Sequence, residues 1–183
     1  EVKEGKNGCV LINDSYNSDL ASLDIALDFM SRRSEDKGRK RTLILSDLLE
    51  TGQSCKLLYR QVADLVQSRG VDKIIGVGEE ISSASSRFEM EKYFFRTTED
   101  FMASELLTSL RNEVVLIKGS RSFHFDDISD RLELKVHETI LEINLNALVD
   151  NLNYYRGKLK PETKIVCMVK ASAYGAGSYE VAK

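Results

Sequence analysis

Four short stretches hold the side chains able to do chemistry, and each follows an apolar run. Asn13-Asp14-Ser15-Tyr16-Asn17-Ser18 comes after Cys9-Val10-Leu11-Ile12, and Ser46-Asp47-Leu48-Leu49-Glu50-Thr51-Gly52 after Thr42-Leu43-Ile44-Leu45. Lys118-Gly119-Ser120-Arg121-Ser122 follows Glu113 to Ile117, and Lys170-Ala171-Ser172-Ala173-Tyr174-Gly175-Ala176-Gly177 follows Lys164 to Val169. In an open parallel sheet, ligands bind at the carboxyl ends of the strands. Free N–H groups at the start of the next helix favour a phosphate or carboxylate there. Asp14 cannot serve an anion directly. It can accept hydrogen bonds from a hydroxyl such as that of a ribose, or hold a metal that holds the phosphate. The same residue types also supply helix caps and turns, each worth about 1 kcal/mol. Asp47 and Glu50 can equally fix their loop by accepting from backbone N–H groups. A lysine after an apolar strand is commonly just solvated, and at its ordinary pKa of about 10.4 it is a poor nucleophile.

The elements that must position these groups follow from periodicity. Strands are predicted at Cys9–Ile12, Thr42–Leu45, Asp72–Val77, Lys92–Arg96 and Glu113–Ile117. A helix with Leu20, Leu23, Ala26, Leu27 and Met30 on one face follows the first. A second helix runs from about Gln53 to Arg69 with Gly70 ending it, and Thr98 caps a third that carries Phe101, Met102, Leu106 and Leu110. The first three strands start about 30 residues apart, the spacing of right-handed βαβ units. This predicts an α/β fold over residues 1–134, a Rossmann-like, doubly wound, mostly parallel sheet. Neither G-x-G-x-x-G nor G-x-x-x-x-G-K-[ST] occurs, so these residues bring no phosphate cradle of their own.

Past Leu134 the pattern restarts. Glu138–Leu145 alternates as a strand, Asn144 or Asn146 caps a helix carrying Leu148, Val149, Leu152, Tyr155 and Leu159, and Pro161 marks a break. Lys164–Val169 then reads as a buried strand. Residues 135–183 therefore read as a second region with a β-α-β pattern.

With 183 residues, net charge −3 and 42% apolar residues, the chain suits one full domain and part of another. Residues 31–41 are basic but carry interleaved acids and no aromatics, which reads as a solvated loop and not as a nucleic-acid surface. Cys9, Cys55 and Cys167 are odd in number and far apart, and His124 and His137 lack metal-ligand spacing. The cysteine usage predicts a reducing cytoplasm. No run approaches the ~20 apolar residues of a membrane span, so no membrane insertion is expected. We read the chain as a piece of a longer protein.

The loop NDSYNSDLASL resembles the one that opens the third, C-terminal domain of the Mur ligases. In the members that add D-alanyl-D-alanine to UDP-N-acetylmuramoyl-tripeptide it runs roughly D-D-S-Y-N-A-N-P-x-S-M. Asp14, Ser15, Tyr16, Asn17 and Ser22 match, Asn13 stands at the first Asp, and Leu20 replaces the Pro. SDLLETG resembles the family's G-D-M-x-E-L-G, and IKGSRS its V-K-G-S-R-S. The resemblance implies ATP and Mg2+ as the ligase cofactors, held mostly by a central P-loop domain over which this one closes. It implies Asp14 near the ATP ribose, Tyr16 near the base, and Asn17, Lys118, Ser120 and Arg121 around the phosphates or the incoming dipeptide.

The β-α-β run past Leu134 resembles the first two strands of the alanine racemase barrel, so that residues 135–183 would be the incomplete β-α-β start of a TIM-type barrel: EINLNALVDNL resembles the family's E-I-D-L-x-A-I-x-x-N-L, and VKASAYGAG its cofactor loop V-V-K-A-D-A-Y-G-H-G. Lys170, Ala171, Ala173, Tyr174, Gly175 and Gly177 match, while Ser172 and Ala176 depart from the pattern. The resemblance implies pyridoxal phosphate on Lys170, Tyr174 toward its phosphate, alanine as substrate and a homodimer when intact. The combined expectation is a junction of a bifunctional peptidoglycan-precursor enzyme. The rival is a phospho-receiver module, whose acids, hydroxyl and lysine Asp14, Asp47, Thr97 and Lys118 would imitate.

Overall fold

Alternating burial along the chain resolves into a single sheet in the computed structural model, which describes residues 1–35, 38–48, 52–135, 142–175, 177, 179 and 181. Its strands are β1 (Val2–Glu4), β2 (Val10–Asp14), β3 (Lys40–Ser46), β4 (Lys73–Val77), β5 (Glu91–Phe95) and β6 (Glu113–Lys118), in the order β1-β2-β6-β3-β4-β5. All neighbours run parallel except the edge pair β1 and β2. The helices of this part are α1 (Leu20–Glu35), α2 (Cys55–Ser68), α3 (Glu79–Ser83), α4 (Thr98–Ala103), α5 (Leu106–Ser109) and α6 (Phe125–Leu132).

Strand side chains alternate between two cores, as a period of two requires. Leu43, Leu45, Ile74, Val114 and Leu116 pack with Leu23, Leu27 and Met30 of α1 and Leu58, Tyr59, Val62 and Val66 of α2. Ile44, Ile75, Val77, Val115 and Ile117 pack on the other face with Phe101, Leu107, Phe125 and Ile128. Both faces of the central strands are covered, which explains why they read as unbroken apolar runs.

The sequence reading needs correction at several points. It missed β1, whose three residues hold no apolar run, and the short α3. The helix cap before Phe101 is Thr97, whose hydroxyl accepts from Asp100 N at 3.1 Å, whereas Thr98 is buried and donates to the Phe123 carbonyl at 2.7 Å. The helix expected to continue from there breaks into α4 and α5, with Ser104 in extended conformation between them. Glu50 lies outside the described residues.

Backbone contacts divide the chain into two units, Glu1–Lys135 and Val136–Lys183. In the second, α7 (Leu145–Arg156) begins after Asn144, whose side chain accepts from Ala147 N at 3.1 Å, and a short α8 spans Lys170–Tyr174. Of the strand expected at Glu138–Leu145, residues 138–141 lie outside the described residues, 142–144 are not extended into a ladder, and Leu145 belongs to α7. Lys164–Val169 is likewise not a strand. A strand needs a neighbour for its N–H and C=O groups, and among the described residues of this unit there is none. Val166 is left 90% exposed.

Candidate functional site

The parallel register of β2 and β6 places Asp14 directly beside Lys118 at the carboxyl ends of the two strands. Lys118 Nζ lies 2.9 Å from Asp14 Oδ2 and also donates to the Asn17 carbonyl. The lysine side chain is 1% exposed and the aspartate 45%. A buried ammonium is costly unless paired and hydrogen-bonded, so the pair holds the loop after β2 against the end of β6. Gly119 follows, and the Phe125 ring lies where its side chain would be, 2.5 Å from an added Cβ. Only a glycine lets α6 close on the strand end this tightly.

Tyr16 stands 68% exposed in the same loop. The Arg121 guanidinium sits over its ring, 5.8 Å from the centroid, a cation–π contact. Ser120 N donates to Ser46 Oγ at 2.9 Å, joining the ends of β6 and β3, and Ser120 Oγ lies 2.9 Å from Ser122 Oγ. Asp19 caps α1 by accepting from Ser22 N at 2.9 Å and Ser22 Oγ at 2.8 Å, and these bonds hold its carboxyl below the usual carboxylate range. Asp126, in the first turn of α6, accepts at one oxygen from Ser15 Oγ at 2.7 Å and Asn13 Nδ2 at 3.3 Å.

Asp47 has a different role. It is buried and accepts from Tyr59 OH at 3.2 Å and from the first backbone N–H groups of α3, Ile81 N at 2.8 Å and Glu80 N at 3.2 Å. Gly78 has φ +137°, and a Cβ there would meet the Asp47 carboxyl at 2.3 Å. Burial, and then the Asp47 charge, push the Tyr59 phenol well above its ordinary pKa. This carboxylate fixes a loop. With its oxygens so engaged it is a poor phosphate acceptor, which removes the centre of the receiver reading.

The fold therefore brings Asp14, Asn17 and Lys118 into direct contact, and Tyr16 beside Arg121. Ser120 joins through its backbone. Sequence reasoning missed Asp126 and Ser46; the acid pair Asp126-Asp127 at the head of an apolar helix face was the only signal for the former. Lys170 is exposed at the start of α8, in the other unit, and the side chain of Tyr174 lies outside what is described. A cavity of about 460 Å³ in that unit is lined by Arg156, Leu159, Lys160, Pro161, Thr163 and Ile165 and does not include Lys170. Among the described residues no three of His, Cys, Asp and Glu converge as a metal site, and no helix is long and apolar enough to cross a membrane.

The chain is 24% identical over 125 residues to the UDP-N-acetylmuramoyl-tripeptide–D-alanyl-D-alanine ligase of Escherichia coli, covering 68% of this chain and 27% of that protein. Its counterpart in Bacillus subtilis is 23% identical over 133 residues, 70% of this chain and 29% of the relative. The chain spans about a quarter of the length of these curated relatives. A MurF crystal structure from Acinetobacter baumannii superposes with TM-score 0.55 at 21% identity, covering 71% of this chain and 28% of that one. MurF from Thermotoga maritima in complex with ADP gives 0.53 at 17%, covering 72% and 29%. At these identities the structures support the fold alone. Residues 143–183 match the alanine racemase N-terminal domain, and an amino-acid racemase of Enterococcus faecalis is 49% identical over 41 residues, 22% of this chain and 6% of that protein. Residues 1–121, more than half of the chain, match the Mur ligase, glutamate ligase domain, and the chain belongs to that family.

Proposed function

We propose that residues 1–134 are the C-terminal domain of an ATP-dependent ligase that joins D-alanyl-D-alanine to UDP-N-acetylmuramoyl-tripeptide, acting with a nucleotide-binding domain outside this chain. The observation that carries the reading is the pairing of Asp14 with the buried Lys118, next to the exposed Tyr16 and Arg121, at the carboxyl edge of a Mur ligase sheet. Lys118 orients Asp14, leaving a half-exposed carboxylate to accept from a ribose hydroxyl. Tyr16 offers an aromatic face for the base. Asn17, Ser120 and Arg121 border the same edge and are assigned to the phosphates or the dipeptide; Lys118, expected among them, is 1% exposed and committed to Asp14 and the Asn17 carbonyl, so it is assigned to hold Asp14 instead. ATP would activate the tripeptide carboxylate as an acyl phosphate, and the dipeptide amine would displace the phosphate. Mg2+ is assigned to the domain outside this chain.

Residues 135–183 are proposed as the start of an alanine racemase barrel, homodimeric when complete, with Lys170 as the lysine that carries pyridoxal phosphate and Tyr174 near the cofactor phosphate. Support comes from VKASAYGAG and the 41-residue relative. The pairing is chemically coherent, because a racemase makes the D-alanine that enters the dipeptide. The test is to assay the intact protein for both reactions. Asp14→Ala is expected to impair ATP-dependent ligation only, and Lys170→Ala to abolish racemisation only. Normal ligase kinetics in the first variant, or normal racemisation in the second, contradicts the corresponding assignment.

A further inference from the structure

Asp126 belongs to α6, yet its contacts are with the loop after β2. One carboxylate oxygen receives both Ser15 Oγ at 2.7 Å and Asn13 Nδ2 at 3.3 Å, while Asn13 Oδ1 accepts from Ser15 N at 3.2 Å. Asn13 and Ser15 flank Asp14, and Tyr16 comes next. The Asp14–Lys118 pair grips this loop from one side, and the Asn13–Ser15–Asp126 triangle fixes it from the other. Asn13 must donate its amide to Asp126 and accept from Ser15 at the same time, which only a neutral amide can do beside a carboxylate.

We infer that Asp126 is a positioning residue for nucleotide binding, and that the amide at position 13, where the Mur ligase pattern quoted above carries aspartate, is the partner that lets a carboxylate sit at position 126 in this chain. The inference rests on the reading that Asp14 and Tyr16 receive the ribose and base of ATP. The Ser15 and Asn13 hydrogen bonds hold the Asp126 carboxyl below its ordinary pKa. The charges facing it are Lys3 of β1 and Arg121 of the loop after β6, both of which favour the ionised form, with Asp127 next to it on its own helix. Asp126 is therefore ionised throughout the neutral range, and the native enzyme gains no pH dependence from it there.

A charge swap in the intact ligase tests this. Asn13→Asp places two carboxylates within hydrogen-bond distance and is expected to raise the KM for ATP roughly fivefold at neutral pH, the factor that like charges at this separation give in water, with kcat nearly unchanged. The penalty should shrink as the pH falls toward 5 and the two carboxyls share a proton. Adding Asp126→Asn restores one amide facing one carboxylate and should return the KM toward the native value. A merely structural role would instead lower the melting temperature and kcat together and leave the KM for ATP at its native value. Asp14→Ala is measured beside them. A native KM for ATP in that variant overturns the nucleotide reading and the inference with it. A raised KM there, combined with no effect of Asn13→Asp or no rescue by the second change, overturns the Asp126 assignment alone. Should Asn13→Asp fail to fold, Asp126→Ala removes the shared acceptor, and an unchanged KM in that variant is likewise contrary to the inference.

Discussion

The two edges of the sheet each bury a lysine against a carboxylate, and they do it differently. At the amino edge, Lys73 at the start of β4 lies 2.9 Å from Glu113 at the start of β6, with side chains 7% and 8% exposed. Thr42 donates to the other Glu113 oxygen, and Glu91 stands 3.7 Å from the same lysine. At the carboxyl edge, Lys118 is as deeply buried, but its partner Asp14 is half open to solvent. A pair closed on both sides can only hold strands in register. A pair with one open member holds a loop and still presents a carboxylate to a ligand. The same chemistry thus closes one edge and leaves a carboxylate open to solvent at the other.

The sharpest way to break this comparison is at the closed pair. Lys73→Met leaves Glu113 buried without its cation and is expected to cost about 3–5 kcal/mol, read as a lowered urea midpoint. Replacing Glu113 with Leu in the same chain should recover most of that loss. If the single variant is as stable as the native protein, the amino edge is not a buried ionic structure. Lys118→Met should cost less, about 1–3 kcal/mol, because the half-exposed Asp14 can turn to water. Asp14→Asn leaves the buried Lys118 ammonium facing an amide oxygen in place of its counter-charge, so it should cost about 1–3 kcal/mol and impair ATP use by about tenfold, the factor for about 1.4 kcal/mol. Equal stability losses at Lys73 and Lys118 would erase the distinction between the edges.

The smallest expected effect concerns the thiols. Cys9 is buried at the head of β2, and burial pushes its thiol above the ordinary range; Cys55 and Cys167 are exposed. Near pH 8 a maleimide should modify the two exposed thiols in the native chain and reach Cys9 only on unfolding. Fast native labelling of Cys9 would show that the β2 end of the sheet opens readily.

Much of this was legible in the sequence because apolar runs followed by polar loops mark strand ends whatever the tertiary detail. The five parallel strands and the loops that carry Asp14, Asp47 and Lys118 came from that pattern. What the loops do to one another did not. Lys118 donates to a carbonyl 101 residues away, and only the parallel register of β2 and β6 tells a surface lysine from a buried one. Lys73 and Glu113 open their strands and look like solvated charges until a neighbouring strand start supplies the partner. The strand β1, Val-Lys-Glu, is an edge defined by pairing and not by hydrophobicity. The opposite error came at Lys164–Val169, where the apolar run is strand-like and no neighbour is present among the described residues to complete a ladder. Composition sets a tendency to extend, and the hydrogen-bond partner decides whether it is realised.

The central claim, that the carboxyl edge and not the amino edge receives the nucleotide, is tested most directly by photolabelling the intact enzyme with 8-azido-ATP and mapping the labelled peptides. The account predicts ATP-protected label in this chain on the peptide that contains Tyr16, with loss of that label in Asp14→Asn. ATP-protected label on peptides at the amino edge, around Lys40, Lys73 or Glu113, or no label on the Tyr16 peptide, would contradict it.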